Sequence, residues 1–260
     1  MNHAKAYITS AGKYLPGKPV DNENIEQYLG MVHGKPSRTK LRMLRQNGIQ
    51  FRHYALDRQQ QSTHSLAGMA AEAVRDCLAQ RGVAASEVDF LAAATTQGDL
   101  PVPGFASMVH AESGLEACEI ATLHGVCGSG MMAIKNAWMQ VLLEGKQHAL
   151  ACAGEFASRM FKASRFEQQL TANEHLPLET DFLRWMLSDG AGALLVQPQP
   201  TSRGASLAID WIDIRSYAHL FEPCMYAGYD KKSDTNSWLD YDNFTQADLA
   251  GAINLTQDIK

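Results

Sequence analysis

The chain has no run of about 18 uninterrupted apolar residues, so no membrane-spanning helix is expected. Residues 1–18 show no basic start followed by an apolar block, which argues against a secretory leader and for the cytoplasm. Cysteine is sparse. Cys77, Cys118, Cys127, Cys152 and Cys224 are odd in number, scattered and never in a C-x-x-C pair, which disfavours both a disulfide framework and a zinc site. The histidines form no H-x-x-x-H or H-E-x-x-H pair, so no metal is expected. No G-x-G-x-x-G lies between a strand and a helix, so no dinucleotide cofactor is inferred. Positive charge is in deficit: 23 Lys and Arg against 28 Asp and Glu give a net −5, which argues against nucleic acid as partner. What is present, in 260 residues, is 45% hydrophobic and 20% charged residues. That balance fits a packed globular chain of one large or two smaller domains.

Periodicity orders the chain. Residues 4–11 read as a strand closed by Gly12, and residues 21–29 as a short helix capped by Asp21. Residues 35–45 crowd Lys35, Arg38, Lys40, Arg42 and Arg45, which fits a solvated surface or an anion-binding rim. Ser62 or Thr63 is expected to cap an amphipathic helix that Gly82 stops, with Cys77 on its apolar stripe. Residues 88–96 (VDFLAAATT) and 148–154 (HALACAG) read as buried strands because their apolar runs are continuous. Helices are expected from the Pro101–Pro103 region to Gly114 and from Cys127 to about Leu143, with a strand at 118–123 between them. Residues 159–187 read as an irregular lid, residues 192–196 and 207–217 as strands, and 245–260 as a helix that nothing stops. Alternation of this kind predicts an α/β protein with a mostly parallel sheet.

The stretch LHGVCGSG at 123–130 carries the chemistry. A strand feeds a glycine, then Cys127, then Gly-Ser-Gly and a helix. Glycines permit a sharp turn and close backbone approach. The free N–H groups and the positive end of a helix stabilise a thiolate. The same N–H groups can hold the oxyanion of an acyl carbonyl attacked by that thiolate, with a thioester as product. Two other readings stay open: a small buried cysteine in a tight junction, and the Cys form of a hydrolase nucleophile elbow. The elbow would need an acid and a histidine downstream, and Asp181, Asp189 and His219 stand in no convincing context for it. His124, three residues before Cys127, reads as structural, and so does Asp189 in the SDGAGA turn at 188–193.

Five motifs occur in one order: GKYLP at 12–16, NGIQFRHY at 47–54, ATT at 94–96, CGSG at 127–130 and SDGAGA at 188–193. Together they resemble β-ketoacyl-acyl carrier protein synthase III, within the thiolase-like condensing enzymes. The resemblance implies a thiolase-like α/β fold, with a mixed, mostly parallel five-stranded sheet flanked by helices as the first half of an α/β/α/β/α layered whole. Residues 1–200 would be that half, with a cap insertion near 159–187, and residues 201–260 the incomplete start of the second half.

The resemblance also implies roles. Cys127 is the acylated nucleophile. Val102 lies on the loop that reaches the partner's acyl tunnel, in place of a phenylalanine found in many relatives, and leaves room for a longer or branched acyl chain. Arg159 approaches the nucleotide end of coenzyme A. Arg42 and Gln46 replace a Trp and an Arg that hold the coenzyme, which favours a carrier-protein-bound or unusual acyl donor. Residues 165–186 exceed the usual length, implying a remodelled cap. The family's decarboxylating His and Asn belong to the second half, and no Gly-His or Asn-x-Gly-Asn pattern follows residue 200.

The implied activity is a decarboxylative Claisen condensation of a Cys-bound acyl group with a malonyl- or 3-ketoacyl-carrier protein, in fatty acid or polyketide-like (dialkylresorcinol or pyrone) biosynthesis. The partners are an acyl carrier protein, an acyl thioester (acyl-CoA or acyl-carrier protein) and a second copy of the chain. The segment 35–45 is the candidate dock for the acidic carrier. No cofactor is required. The alternatives are a non-catalytic condensing-fold partner and a Cys-type α/β-hydrolase.

Overall fold

The computed structural model describes residues 5–171, 174–202, 204–229 and 237–258. Position 4 of the expected first strand, residues 172–173 of the expected cap and the last two residues of the expected final helix lie outside the described residues. In chain order the elements are β1 Tyr7–Tyr14, β2 Val20–Asp21, α1 Ile25–Leu29, α2 Lys40–Asn47, β3 Phe51–Arg52, α3 Leu66–Arg81 and β4 Phe90–Thr95. Next come α4 Phe105–Ser113, β5 Glu119–His124, α5 Ser129–Leu143, β6 Ala149–Glu155, α6 Ala163–Phe166, α7 Leu178–Met186 and β7 Gly190–Gln197. The chain continues through β8 Leu207–Ala208, β9 Met225–Tyr226, α8 Phe244–Leu249 and β10 Thr256–Gln257. It divides into two compact units: Met1–Pro16, His64–Phe156 and Asp189–Arg215 form the first, and Gly17–Thr63, Ala157–Ser188 and Ser216–Lys260 the second.

The first unit is built on one sheet of order β5-β4-β6-β7-β1-β8. β4 pairs in parallel with β5 and β6, while β7 is antiparallel to β6 and β1. Five long strands thus form the expected mixed, mostly parallel sheet, and two-residue β8 adds an edge. The expected strand at 207–217 shrinks to that pair. β4 is buried along its whole length, with Ala92, Ala93 and Ala94 fully enclosed. That is why its apolar run is continuous rather than alternating.

Side chains alternate between the sheet's faces. Ala92, Ala94, Ala149 and Ala151 cluster with Ala133, Ala137 and Val141 of α5. On the other face the Cys152 Sγ reaches the Ala70 carbonyl of α3 at 3.7 Å. Small residues at both seams let helix backbones approach the sheet. The approach is closest at Gly12, where an added Cβ would lie 2.2 Å from the Cys77 nitrogen and 2.3 Å from the Ala73 oxygen. Gly12 therefore does not end β1. It sits inside the strand, opposite Ala193, and the strand runs later than the expected 4–11.

Ser65, not Ser62 or Thr63, caps α3 by accepting from the Gly68 N–H at 2.9 Å. Gly82 ends the helix in the left-handed conformation, as expected.

The second unit is organised around buried charge. Arg184 is 2% exposed; it donates from Nε to the Phe161 carbonyl at 3.0 Å and from Nη2 to those of Leu29 and Gly30 at 3.3 and 2.9 Å. Asp181 lies 4.0 Å from it and accepts from the hydroxyls of Ser37 (2.8 Å) and Thr39. The basic segment is not uniformly solvated. It forms α2, and Lys40 is buried, paired with Glu26 at 3.0 Å and lying over the Trp185 ring. Lys35, Arg38, Arg42 and Arg45 remain exposed. The lid expected to be irregular contains α6 and α7, which bury Phe166, Leu183 and Trp185. The tail expected as one helix is α8 followed by β10, which pairs with β9.

Candidate active site

Parallel strands β4, β5 and β6 end together, so the loops that follow them leave one edge of the sheet. Binding residues gather at such an edge in α/β proteins. After β5 ends at His124, the chain turns through Gly125, Val126, Cys127 and Gly128 into α5. The Gly128 N–H donates to the Val126 carbonyl at 2.6 Å, closing a three-residue turn around Cys127. Cys127 has φ 58°, the left-handed region that a side chain occupies at a cost of about 1–2 kcal/mol. This is a γ-turn of the strained, positive-φ kind. Strain of this sort is found at functional sites, where the surroundings impose it.

The turn presents Cys127 at the start of α5 and leaves it exposed. The N-cap of α5 is Gly128, and among the described residues no side chain caps this 15-residue helix. Its first N–H groups are thus left as donors, at the positive end of the helix.

The other thiols differ. Burial pushes Cys77 up to about 11 and Cys152 up to about 12, and it raises Cys118 as well. These three stay protonated at neutral pH. Cys77 is fully buried on the inner face of α3, as its place on the apolar stripe predicts.

Val102 lies on the loop between β4 and α4 and is 78% exposed. Cys127 and Val102 therefore belong to neighbouring loops of one sheet edge. The Val102 loop is tied down by Asp99, whose carboxylate accepts from the Leu66 and Ala67 N–H groups of α3 at 2.9 and 2.8 Å. At the foot of α4, the Thr122 hydroxyl accepts the Ala106 N–H at 2.9 Å, and a Cβ on Gly104 would lie 2.6 Å from that oxygen.

A carboxylate stands at the root of both loops. Glu155, the last residue of β6, accepts from the Thr96 N–H and hydroxyl, both at 2.8 Å. The Thr96 hydroxyl also lies 3.4 Å from the Gly125 carbonyl. Sequence reading missed Asp99 and Glu155, since an isolated acid near a strand end has no pattern to mark it. The ATT motif at 94–96 was the available signal for Thr96.

Arg42 and Arg159 belong to the second unit. Arg42 is exposed on α2. Arg159 lies on a 3₁₀ turn, Ala157–Met160, and its carbonyl accepts from the Arg165 Nε at 2.9 Å. In the same unit a recess of about 180 Å³ is lined by Val32, His33, Lys35, Ser37, Arg38 and Asp181, among others. Ser188 of the SDGAGA motif is bonded to the His53 backbone, accepting at 2.8 Å and donating at 3.1 Å. Asp189 is buried at 2% exposure.

The thiolase N-terminal domain family matches residues 55–180. A β-ketoacyl-[acyl-carrier-protein] synthase III of Roseobacter denitrificans is 30% identical over 215 residues, covering 82% of this chain and 58% of the relative. The enzyme of the same name from Caulobacter vibrioides is 26% identical over 194 residues, covering 75% of this chain and 52% of the relative. The chain thus spans little more than half the length of these relatives.

Among solved structures, the tetronic acid condensing enzyme AbyA1 superposes with TM-score 0.72 at 23% identity, over 88% of this chain and 65% of that one. The 3-oxoacyl-(acyl carrier protein) synthase III of Pseudomonas aeruginosa PAO1 gives TM-score 0.63 at 20% identity, over 90% and 62%. In fold the chain is thiolase-like, and in sequence it is similar to β-ketoacyl-acyl carrier protein synthase III over little more than half of those relatives' length.

Proposed function

We propose that this chain carries the acyl-accepting half of a condensing acyltransferase, with Cys127 as the acyl acceptor. The observation that carries the reading is the exposed Cys127 at φ 58°, held by a tight turn at the uncapped start of α5. Its thiolate attacks the carbonyl carbon of an acyl thioester. The N–H groups at the start of α5 supply hydrogen bonds to the oxyanion that forms. The new Cys–acyl bond stays, the old carbon–sulfur bond breaks, and the departing thiolate takes a proton from water. A malonyl-carrier protein, by losing carbon dioxide, or a 3-ketoacyl-carrier protein, by losing a proton from the carbon between its carbonyls, then supplies a carbanion that attacks the acyl carbonyl and displaces the Cys127 thiolate. In the family resembled, that second step uses a His and an Asn of the second half, so the first step is the one assigned to this chain's own residues. The chemistry calls for no cofactor, because a thiolate and backbone donors suffice for acyl transfer.

Val102, small and exposed, fits a tunnel loop that admits a longer or branched acyl chain. Arg159 and Arg42 are the proposed contacts for the donor's polar end. The exposed Lys35, Arg38, Arg42 and Arg45 suit an acidic carrier protein, and Lys35 and Arg38 border the 180 Å³ recess. The reading includes a homodimer through the β5 edge. Fatty acid and polyketide-like assembly, including dialkylresorcinol or pyrone formation, both accommodate this chemistry.

The decisive experiment is intact-protein mass after incubation with acyl-CoA and acyl-carrier-protein thioesters of graded chain length. A stable acyl adduct mapped to Cys127 and lost in Cys127→Ala is expected. Absence of any adduct, or turnover of simple esters without one accumulating, would remove the acceptor assignment.

A further inference from the structure

The strained turn at Cys127 must be imposed from outside itself, because a left-handed φ at a non-glycine residue relaxes when its surroundings allow. Within the turn, the Gly128 N–H closes onto Val126. From outside, the Thr96 hydroxyl oxygen lies 3.4 Å from the carbonyl of Gly125, the residue that leads into the turn.

Thr96 is itself fixed. Its N–H and hydroxyl both donate to Glu155 Oε1 at 2.8 Å, while the Thr95 hydroxyl lies 3.4 Å from Glu155 Oε2. The single hydroxyl proton goes chiefly to the carboxylate. Gly125 receives the longer arm of a forked donation. A negative acceptor strengthens such bonds and fixes the hydroxyl's rotation. Three strand ends, those of β4, β5 and β6, are thus tied at one point, directly beneath the loops bearing Val102 and Cys127.

We propose that Thr96, oriented by the Glu155 carboxylate, is a positioning residue that sets the Cys127 turn and keeps its thiolate aligned with the start of α5. This deepens the acceptor reading above and rests on it.

The test uses the full chain and iodoacetamide as probe, with the alkylation rate of each cysteine followed by mass spectrometry at neutral pH. In the wild type, Cys127 reacts faster than Cys224, and equal rates would overturn the acceptor reading rather than the positioning one. Thr96→Val keeps the shape and removes the hydroxyl. It slows Cys127 alkylation about tenfold, with Cys224 unchanged. Thr96→Ser returns the hydroxyl and restores the rate. A wild-type rate in Thr96→Val, or failure of Thr96→Ser to restore it, overturns the proposal. Should Thr96→Val not fold, Glu155→Gln serves instead. It retains an acceptor without the charge and is expected to slow Cys127 about threefold, so an unchanged rate there overturns the proposal too.

Discussion

At the scale of the residue, Cys127 combines features that the other cysteines lack. Cys77 and Cys152 are sealed in the sheet-facing side of α3 and in β6, where burial holds their thiols protonated. Cys127 is exposed and stands in a backbone conformation that glycine adopts at no steric cost. That conformation has a measurable consequence. Cys127→Gly is expected to be more stable than Cys127→Ala by about 1 kcal/mol in urea denaturation, because only the Gly variant relieves the positive φ. Equal stability would mean that the turn is not strained. Neither variant accepts an acyl group, so the comparison separates the backbone's part from the sulfur's.

At the scale of the element, the contact between β1 and α3 is the most demanding. A methyl group at position 12 would meet the α3 backbone at 2.2–2.3 Å, and neither side can yield without moving a whole helix. Gly12→Ala is expected to cost roughly 3 kcal/mol, read as a lowered urea midpoint with an unchanged slope. A loss below a few tenths of a kcal/mol would show that α3 floats on the sheet.

Gly12 also shows where the sequence was legible and where it was not. The apolar runs at 88–96 and 148–154, the helix ending at Gly82 and the strand–Cys–helix junction announce themselves through local pattern. Gly12 read as a strand end because a glycine signals a break unless the reader knows what lies against it. Lys40, Arg184 and Asp181 were equally opaque. Charge reads as surface, yet these groups are buried among carbonyls, hydroxyls and one another. The helix α7 was hidden inside a segment whose mixed charges and aromatics looked irregular, because its order depends on that buried network. Cys127 was visible as a nucleophile candidate from its neighbours. Its φ, and the Thr96–Glu155 support beneath it, depend on strand ends far apart in sequence.

At the scale of the whole molecule, β5 is an edge strand, hydrogen-bonded to β4 on one side and exposed along much of the other. Ile120 on that strand, with Met131, Met139 and Leu143 on α5, leaves large apolar side chains in solvent. Edge strands of this kind invite pairing with another strand. Pairing of two copies through β5 predicts a dimer in sedimentation equilibrium, and Ile120→Lys should shift it to monomer. A wild-type chain that stays monomeric at tens of micromolar would remove this edge from the proposed interface.

The three alanines in the middle of β4 set a different kind of limit. Each is enclosed by backbone and helix on every side, so no bulkier residue can be admitted there without forcing the layers apart. On the proposed reading, any drift toward new acyl donors over evolutionary time is confined to the rim. The interior is frozen, and novelty must be written in the loops.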